Sequence, residues 1–262
     1  MPVIPSPVDG VDLRYDVSGS GPALVLLHGS VLSRAIWRGL GYLEPLAAEH
    51  TVIRLDIRGH GRSGAPHDPA AYAQDVLVAD LLAVLDAEGI GCTALLGYSL
   101  GARIALSAAL AHPGRVTRLV SLGGSASAQQ GQVDSVFFPG VIGAVREEGM
   151  EAFCAGQGLG PEVTSRRARA TRTAFLAADQ QAIAALLSAT DATPAVPDDA
   201  LAECTVPALW MAGTEDHPRY EDSQEAAARM PDAEFVPLPG RDHGATLFPP
   251  DAVLEHVLPF LR

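Results

Sequence analysis

One short stretch constrains the fold of this chain more than any other. Residues 93–96 are apolar and strand-like, Gly97, Ser99 and Gly101 follow in a G-x-S-x-G pattern, and residues 102–111 resemble a helix of small side chains. A strand that turns this sharply into a helix strains the backbone of its pivot residue, and the flanking glycines remove the Cβ atoms that would clash. The pattern predicts that Ser99 projects from the sheet with its Oγ exposed.

Leu100 would then be the first residue of the helix. Backbone N–H groups at that position have no intrahelical partner. A hydroxyl beside free N–H donors suits attack on a carbonyl group and stabilisation of the resulting oxyanion. A serine in an ordinary glycine-flanked turn is the alternative, because short G-x-S-x-G matches occur by chance. The strand before Ser99 and the helix after it favour a nucleophile.

Buried strands alternate with helices along much of the rest of the chain. Alternating residues 11–17 predict a half-buried strand, and continuous apolar runs predict buried strands at residues 23–27, 51–55, 118–122 and 208–212, with a further strand at 234–238. Periodic apolar residues predict helices at residues 33–50, 72–88 and 250–261. This alternation predicts an α/β fold with a mostly parallel, doubly wound sheet covered on both faces.

The pattern changes between residues 125 and 203, where no buried strand is predicted. Helices are expected there near residues 141–154, 161–177 and 179–190. We therefore expect a core of residues 1–124 and 204–262, with residues 125–203 inserted as a helical cap over the carboxyl edge of the sheet. Ligands bind at that edge in open α/β sheets.

A serine nucleophile needs a base, and the base needs an orienting acid. In this architecture the acid and then the histidine follow later strands. Asp216 follows the strand at 208–212, and His243 follows the strand at 234–238. Glu215 remains an alternative acid, because one residue of loop slack would exchange the two carboxylates.

His28, Gly29 and Ser30 close an early buried strand that we expect beside the nucleophile. The Ser30 N–H is placed to be a second oxyanion donor alongside the Leu100 N–H. The His28 side chain is predicted to brace the loop.

Residues 59–64 also match G-x-G-x-x-G, the dinucleotide-binding fingerprint. That fingerprint needs a helix to open within the motif, so that its N-terminus meets the pyrophosphate. Pro66 and Pro69 delay the helix, so the loop is too long for nicotinamide binding.

Together these residues resemble the α/β-hydrolase family, and most closely its small esterase, enol-lactonase and cofactor-free perhydrolase branch. The resemblance includes the Ser99 motif, His28-Gly29 after a buried strand, the loop containing Asp56, Arg58 and His60, and His243 before a terminal helix. Three positions depart from the common pattern, namely Ser30, Ala102 and His217. The resemblance implies a serine hydrolase for a carboxylic ester or lactone, with no metal and no cofactor.

Two other functions remain compatible with the sequence. The same residues could cleave a C–C bond or transfer acyl groups, or the scaffold could be a non-catalytic ligand receptor. Tyr98, Phe137 and Phe138 are predicted to line a substrate pocket, with Phe153 and Phe175 as further candidates. For each of the four phenylalanines the alternative is that it belongs only to the core of the cap. The arginines at 166, 167, 169 and 172 form either an anion-binding cluster or a solvated helix face.

Composition excludes several classes of partner. The net charge of -13 argues against nucleic acid and anionic membrane surfaces, because both need a basic patch. Cys92, Cys154 and Cys204 form neither a disulfide framework nor a zinc pattern, and Cys92 and Cys204 are predicted to be small core residues. The N-terminal residues lack a secretory signal, so a cytoplasmic location is expected. The sequence predicts no oligomeric state.

Overall fold

The computed structural model describes residues 2–262. Within that range eight strands form a single sheet. The strands are β1 Val3–Pro5, β2 Asp12–Ser18, β3 Ala23–Leu27, β4 Thr51–Asp56, β5 Thr93–Tyr98, β6 Val116–Leu122, β7 Ala208–Gly213 and β8 Ala233–Leu238.

Twelve α-helices lie among the described residues. Four of them precede β6 in the chain: α1 Ala35–Gly39, α2 Leu43–Ala47, α3 Gln74–Ala87 and α4 Leu100–Ala111. Six lie between β6 and β7: α5 Gln132–Val136, α6 Val141–Glu148, α7 Met150–Gly156, α8 Arg166–Leu176, α9 Gln180–Asp191 and α10 Asp198–Glu203. Two more follow, α11 Arg219–Arg229 and α12 Asp251–Leu261, and short 3-10 turns occupy Pro69–Tyr72 and Pro113–Arg115.

The strand order is β1-β2-β4-β3-β5-β6-β7-β8. In this sheet order, β1 and β2 pair antiparallel with their neighbours, and the remaining six strands, β4-β3-β5-β6-β7-β8, pair in parallel. The prediction of a mostly parallel, doubly wound sheet is confirmed. Because β5 lies at the centre of the sheet, the residues that follow it occupy the middle of the carboxyl edge.

Successive residues of the central strands bury their side chains on opposite faces of the sheet, as the strand period of two requires. On one face, Leu95 of β5 packs in a cluster with residues of α3, α4 and α11. On the other face, Leu96 packs with residues of α1, α2 and α12. Both faces are therefore covered, which explains why the parallel strands are continuous apolar runs.

The chain between β6 and β7 forms a helical insertion with an apolar core of its own. That core includes Phe153 and Ile183, and Val31 from the loop after β3 packs into it. The two ends of the insertion are hydrogen-bonded to each other: the Gln129 N–H donates to the Thr193 carbonyl at 2.9 Å, and the Val196 N–H donates to the Ala126 carbonyl at 2.8 Å.

Glycines divide two helices that the sequence predicts as continuous. The helix predicted at 33–50 is α1 and α2, separated at Gly41, whose φ is 89°. The helix predicted at 141–154 is α6 and α7, separated at Gly149, whose φ is 88°. A positive φ cannot be continued in a right-handed helix, so each glycine redirects the chain.

The cysteine prediction is half wrong. Cys204 is buried as expected, but Cys92 is exposed. It lies in the turn between α3 and β5, one residue before the strand enters the sheet, so its side chain remains outside the core. No helix within residues 2–262 combines the length and the apolar character needed to span a membrane.

Candidate active site

Ser99 occupies a strained turn between β5 and α4. Its φ is 53°, a left-handed value that is uncommon for a residue with a side chain. A Cβ on Gly97 would collide with the Gly101 carbonyl, and a Cβ on Gly101 would collide with the Leu27 carbonyl. Only glycine therefore lets β5, α4 and β3 approach this closely, and the pivot residue is held out from the sheet.

Three side chains from separate loops form a hydrogen-bonded chain at the carboxyl edge. The Ser99 Oγ lies 2.9 Å from His243 Nε2, and His243 Nδ1 lies 2.8 Å from Asp216 Oδ2. Because an ionised carboxylate only accepts, Nδ1 carries the ring proton and Nε2 is left to accept from the serine hydroxyl. This arrangement can remove a proton from Ser99 and stabilise the imidazolium that results.

Burial distinguishes the two candidate acids. Asp216 is 3 % exposed and faces His243, whereas Glu215 is exposed to solvent. The Glu215 backbone N–H donates to the Arg241 carbonyl at 3.0 Å, so Glu215 meets the histidine loop through its backbone while its side chain faces solvent. The structure therefore brings Asp216, rather than Glu215, to the imidazole.

The residues expected to supply the two oxyanion donors are Leu100, which directly follows Ser99, and Ser30, which lines the same cavity. Leu100 is the first residue of α4, and the N–H groups of Ala102 and Arg103 are the first to bond back to the Ser99 carbonyl. The Leu100 N–H therefore has no intrahelical acceptor. Ser30 lines the same cavity as Ser99 and His243.

A pair of buried histidines, His28 and His60, supports the Ser30 loop, and the sequence predicts a role only for His28. His60 Nε2 accepts from the Val31 N–H at 3.0 Å, and Val31 has a φ of 62°. His28 Nε2 accepts from the Ile57 N–H at 3.1 Å, so its Nδ1 donates to the Gly29 carbonyl. His28 thus braces the loop as expected, and His60 fixes the residue next to Ser30.

Both histidines are neutral for a physical reason. Burial lowers the pKa of His28 to about 4, with a smaller lowering from the nearby Arg34 charge. Burial also lowers the pKa of His60 to about 3, and the neighbouring His28 adds to the shift. Each ring can therefore accept a backbone N–H at neutral pH, which a doubly protonated ring could not do.

Tyr98 positions the histidine rather than simply lining the site. Its ring stacks on the His243 ring with centroids 5.2 Å apart, and its hydroxyl donates to the His243 carbonyl at 2.8 Å. Burial raises the pKa of the Tyr98 phenol above its usual range, so the hydroxyl keeps its proton. Tyr98 also lines the cavity, as the sequence predicts.

The cavity above Ser99 has a volume of about 660 Å³ and lies between the sheet edge and the helical insertion. Phe137 and Phe175 line it, and Phe138 instead packs its ring over Gly156 in the core of the insertion. Phe153 is fully buried in that core. Among the arginines of α8, Arg167 lines the cavity and its guanidinium lies 4.2 Å from the centre of the Phe248 ring.

Residues 22–148 match the family model described as the alpha/beta hydrolase fold. The esterase RhEst1 from Rhodococcus sp. ECU1013 is 29 % identical, with a TM-score of 0.82 over 99 % of this chain and 98 % of that one. The enol-lactonase from Burkholderia xenovorans LB400 is 25 % identical, with a TM-score of 0.83 over 99 % of both chains. The chain has the α/β-hydrolase fold.

A curated relative is similar over a shorter extent. The 2-hydroxymuconate semialdehyde hydrolase of Pseudomonas sp. strain CF600 is 40 % identical over 115 residues, which are 44 % of this chain and 40 % of that protein. The matched part thus spans less than half the length of this curated relative.

The G-x-G-x-x-G segment has a structural explanation within this fold. Gly59 and Gly61 have φ values of 79° and 58°, and a Cβ on Gly61 would collide with the Asp56 carboxylate. The α-helix that follows begins only at Gln74. Residues 2–262 contain no cluster of three or more His, Cys, Asp or Glu side chains arranged to hold a metal ion.

Proposed function

We propose that this chain is a serine hydrolase that cleaves a carboxylic ester or lactone through an acyl-enzyme. The observation that carries the proposal is the hydrogen-bonded chain from Ser99 through His243 to Asp216, which opens on the large cavity. The similarity to an esterase and an enol-lactonase over nearly the whole chain supports the same class of reaction.

The reaction would follow from the positions of the groups. The Ser99 Oγ attacks the substrate carbonyl while His243 Nε2 takes its proton, and Asp216 stabilises the imidazolium. The N–H groups of Leu100 and Ser30 would hold the oxyanion. His243 then protonates the leaving alkoxide, and water repeats the two steps on the acyl-enzyme.

The helical insertion is the proposed cap. In this division residues 1–124 and 204–262 form the hydrolase core, and residues 125–203 cover the substrate. Phe137 and Phe175 supply apolar walls on the cap side of the cavity, while Tyr98 supplies part of the wall on the core side. The walls favour an apolar acyl or alcohol group of the substrate.

The test is labelling of the intact protein with a fluorophosphonate, followed by turnover of p-nitrophenyl esters and simple lactones. We expect a single adduct on Ser99, loss of the adduct in Ser99→Ala, and a fall in kcat of about 10³-fold or more in that variant. Turnover by Ser99→Ala at the wild-type rate would refute the proposal. A folded protein that is never labelled would support a ligand receptor instead.

Hydrolysis of a C–C bond is the second candidate, favoured by the relative that is named a 2-hydroxymuconate semialdehyde hydrolase. The same three residues would serve, with the substrate carbonyl flanked by the carbon that leaves. Mass spectrometry of a reaction with a vinylogous diketone separates the two candidates, because C–C hydrolysis splits the diketone into a carboxylic acid and a second fragment, whereas an enzyme that cleaves only esters or lactones leaves it intact. Labelling of Ser99 without turnover of any ester or lactone would favour this candidate or an acyltransferase.

A further inference from the structure

Two buried arginines flank the candidate active site, and each lies on a helix that begins within three residues of Ser99 or Asp216. Arg103 lies on α4, one helical turn after Ser99, and Arg219 is the first residue of α11, just after Asp216. Each of them is 7 % exposed. Two guanidinium groups are thus fixed next to the serine and the aspartate by the fold itself.

Neither arginine is paired with a carboxylate among residues 2–262. Arg103 donates to the backbone carbonyls of Ser125 at 3.0 Å and Ser127 at 3.2 Å, and to that of Pro194. Arg219 donates to Gln129 Oε1 at 2.7 Å. The Nε of each arginine is buried and has no hydrogen-bond partner in the described chain.

The nearby carboxylates are already engaged. Asp216 binds His243, and Asp222 accepts from the hydroxyls of Ser125 at 2.5 Å and Ser127 at 2.7 Å. Burial together with the adjacent Arg219 charge lowers the pKa of Arg103 to about 10. The Asp222 charge raises the pKa of both arginines, yet both pKa values remain lowered overall, so the nearby carboxylates offset the burial of the two like charges only in part. An anion that enters beside them would reduce the remaining cost.

A small void adjoins both arginines and shares lining residues with the large cavity. A void of about 20 Å³ is lined by Arg103, Arg219 and Gln129 together with Ser99 and Ser30. That volume accepts a group of about the size of one water. Ser30 and Ser99 also line the large cavity, so a substrate whose carbonyl lies at Ser99 can extend a small polar group toward the arginines.

We propose that Arg103 and Arg219 form a subsite for a carboxylate carried by the substrate, so that the preferred esters or lactones bear a free carboxylate close to the scissile carbonyl. The inference rests on the proposed hydrolase function and names its substrate class. Guanidinium groups bind carboxylates through short, charge-assisted hydrogen bonds, and each of these two guanidinium groups has an Nε with no partner in the described chain.

The test compares two isosteric substrates, monomethyl succinate and methyl succinamate, by methanol release. Wild-type protein is expected to favour the carboxylate by about tenfold or more in kcat/KM, because a site built for a polar group discriminates against a substrate that lacks it. Arg219→Gln and Arg103→Met are expected to lower that ratio by a similar factor. Arg118→Met is the control, because its guanidinium lies over the Phe260 ring, away from the site.

The ratio of kcat/KM for the two substrates is measured on wild-type protein. The proposal can therefore be refuted even if Arg103→Met fails to fold. Wild-type protein that cleaves methyl succinamate as well as monomethyl succinate would overturn it, and so would folded arginine variants with an unchanged ratio. Calorimetric titration of Ser99→Ala with succinate separates this inference from the hydrolase proposal. Succinate binding that is lost in the Ser99→Ala, Arg219→Gln double variant sustains the subsite even if no ester is cleaved.

Discussion

The Tyr98 side chain holds His243 at two points, through the stacked rings at 5.2 Å and through the hydroxyl that donates to the histidine's own carbonyl at 2.8 Å. The residue before Ser99 therefore sets the position of His243, the proposed base. Because Tyr98 ends β5 and Ser99 follows it directly, any shift of the strand end moves the serine and the histidine together.

Tyr98→Phe removes the hydroxyl contact and keeps the ring. We expect the free energy of unfolding to fall by about 1 kcal/mol and kcat to fall several-fold, since the imidazole loses one of its two supports. Tyr42→Phe is a matched control, because its buried hydroxyl donates to the Leu247 carbonyl at 2.9 Å in the same loop. Denaturation curves should show that both variants are destabilised equally, and kcat should fall only in Tyr98→Phe. An equal loss of kcat in both variants would contradict the role of Tyr98 in positioning His243.

Gly123 lies against the Asp216–His243 hydrogen bond. A Cβ there would lie 3.3 Å from Asp216 Oδ2 and 3.3 Å from His243 Cε1, and the φ of Gly123 is 56°. Gly123→Ala is therefore expected to displace the pair and lower kcat by about tenfold or more, the effect expected when catalytic groups are misplaced. Gly131→Ala is the control, because its φ is 75° but nothing lies within 4 Å of the new Cβ. Both should lose about 1 kcal/mol of stability, and unchanged kcat in Gly123→Ala would rule out the contact.

The buried neutral histidines make the protein sensitive to acid. In the unfolded chain His28 and His60 bind protons near pH 6.5, but in the folded protein their pKa values are about 4 and about 3. Below pH 6.5 the unfolded state therefore binds more protons than the folded state. As the pH is lowered, the free energy of unfolding decreases by up to about 1.4 kcal/mol per pH unit for each histidine.

Urea denaturation between pH 7 and pH 5, a range in which carboxylates stay largely ionised, measures this slope. His60→Gln should roughly halve it, because one of the two linked groups is gone. Replacing the exposed His112 with glutamine should leave it unchanged. A stability that does not vary over this range would contradict the burial of neutral rings.

The cysteines offer a check on the fold that does not involve activity. Cys92 is exposed, while Cys154 and Cys204 are buried, and burial raises the pKa of the Cys154 thiol. A thiol reagent such as 5,5′-dithiobis(2-nitrobenzoate) should react quickly with one thiol in native protein and with the other two only after unfolding. Cys92→Ser should remove the fast phase, and a remaining fast phase would show that one of the buried thiols is accessible.

The strands could be predicted from sequence because a buried parallel strand is a continuous apolar run, as in residues 23–27. The helix breaks at Gly41 and Gly149 could not be predicted, because the sequence does not show whether an isolated glycine within a periodic apolar pattern adopts a positive φ. The helix Arg219–Arg229 was missed, since most of its side chains are polar.

For the site, local motifs and strand order were enough to predict Ser99 and the loops of Asp216 and His243. The choice between Asp216 and Glu215 depended on which side of a turn faces the imidazole, and that is a property of tertiary structure. The approach of Arg103 to Arg219 was equally invisible, because it joins residues that are distant in the chain.

The two ends of the helical insertion are joined to each other, and this affects how the substrate range of such a protein can change. Arg103 reaches both the Ser125 and the Pro194 carbonyls, and the Gln129–Thr193 and Ala126–Val196 hydrogen bonds join the same two ends. Since the ends already meet, each doubling of the intervening length costs only about 0.6 kcal/mol in loop-closure entropy. The helices between these joined ends can be lengthened, shortened or exchanged while the sheet keeps its register. New substrate specificities can therefore arise without a change in the fold of the core.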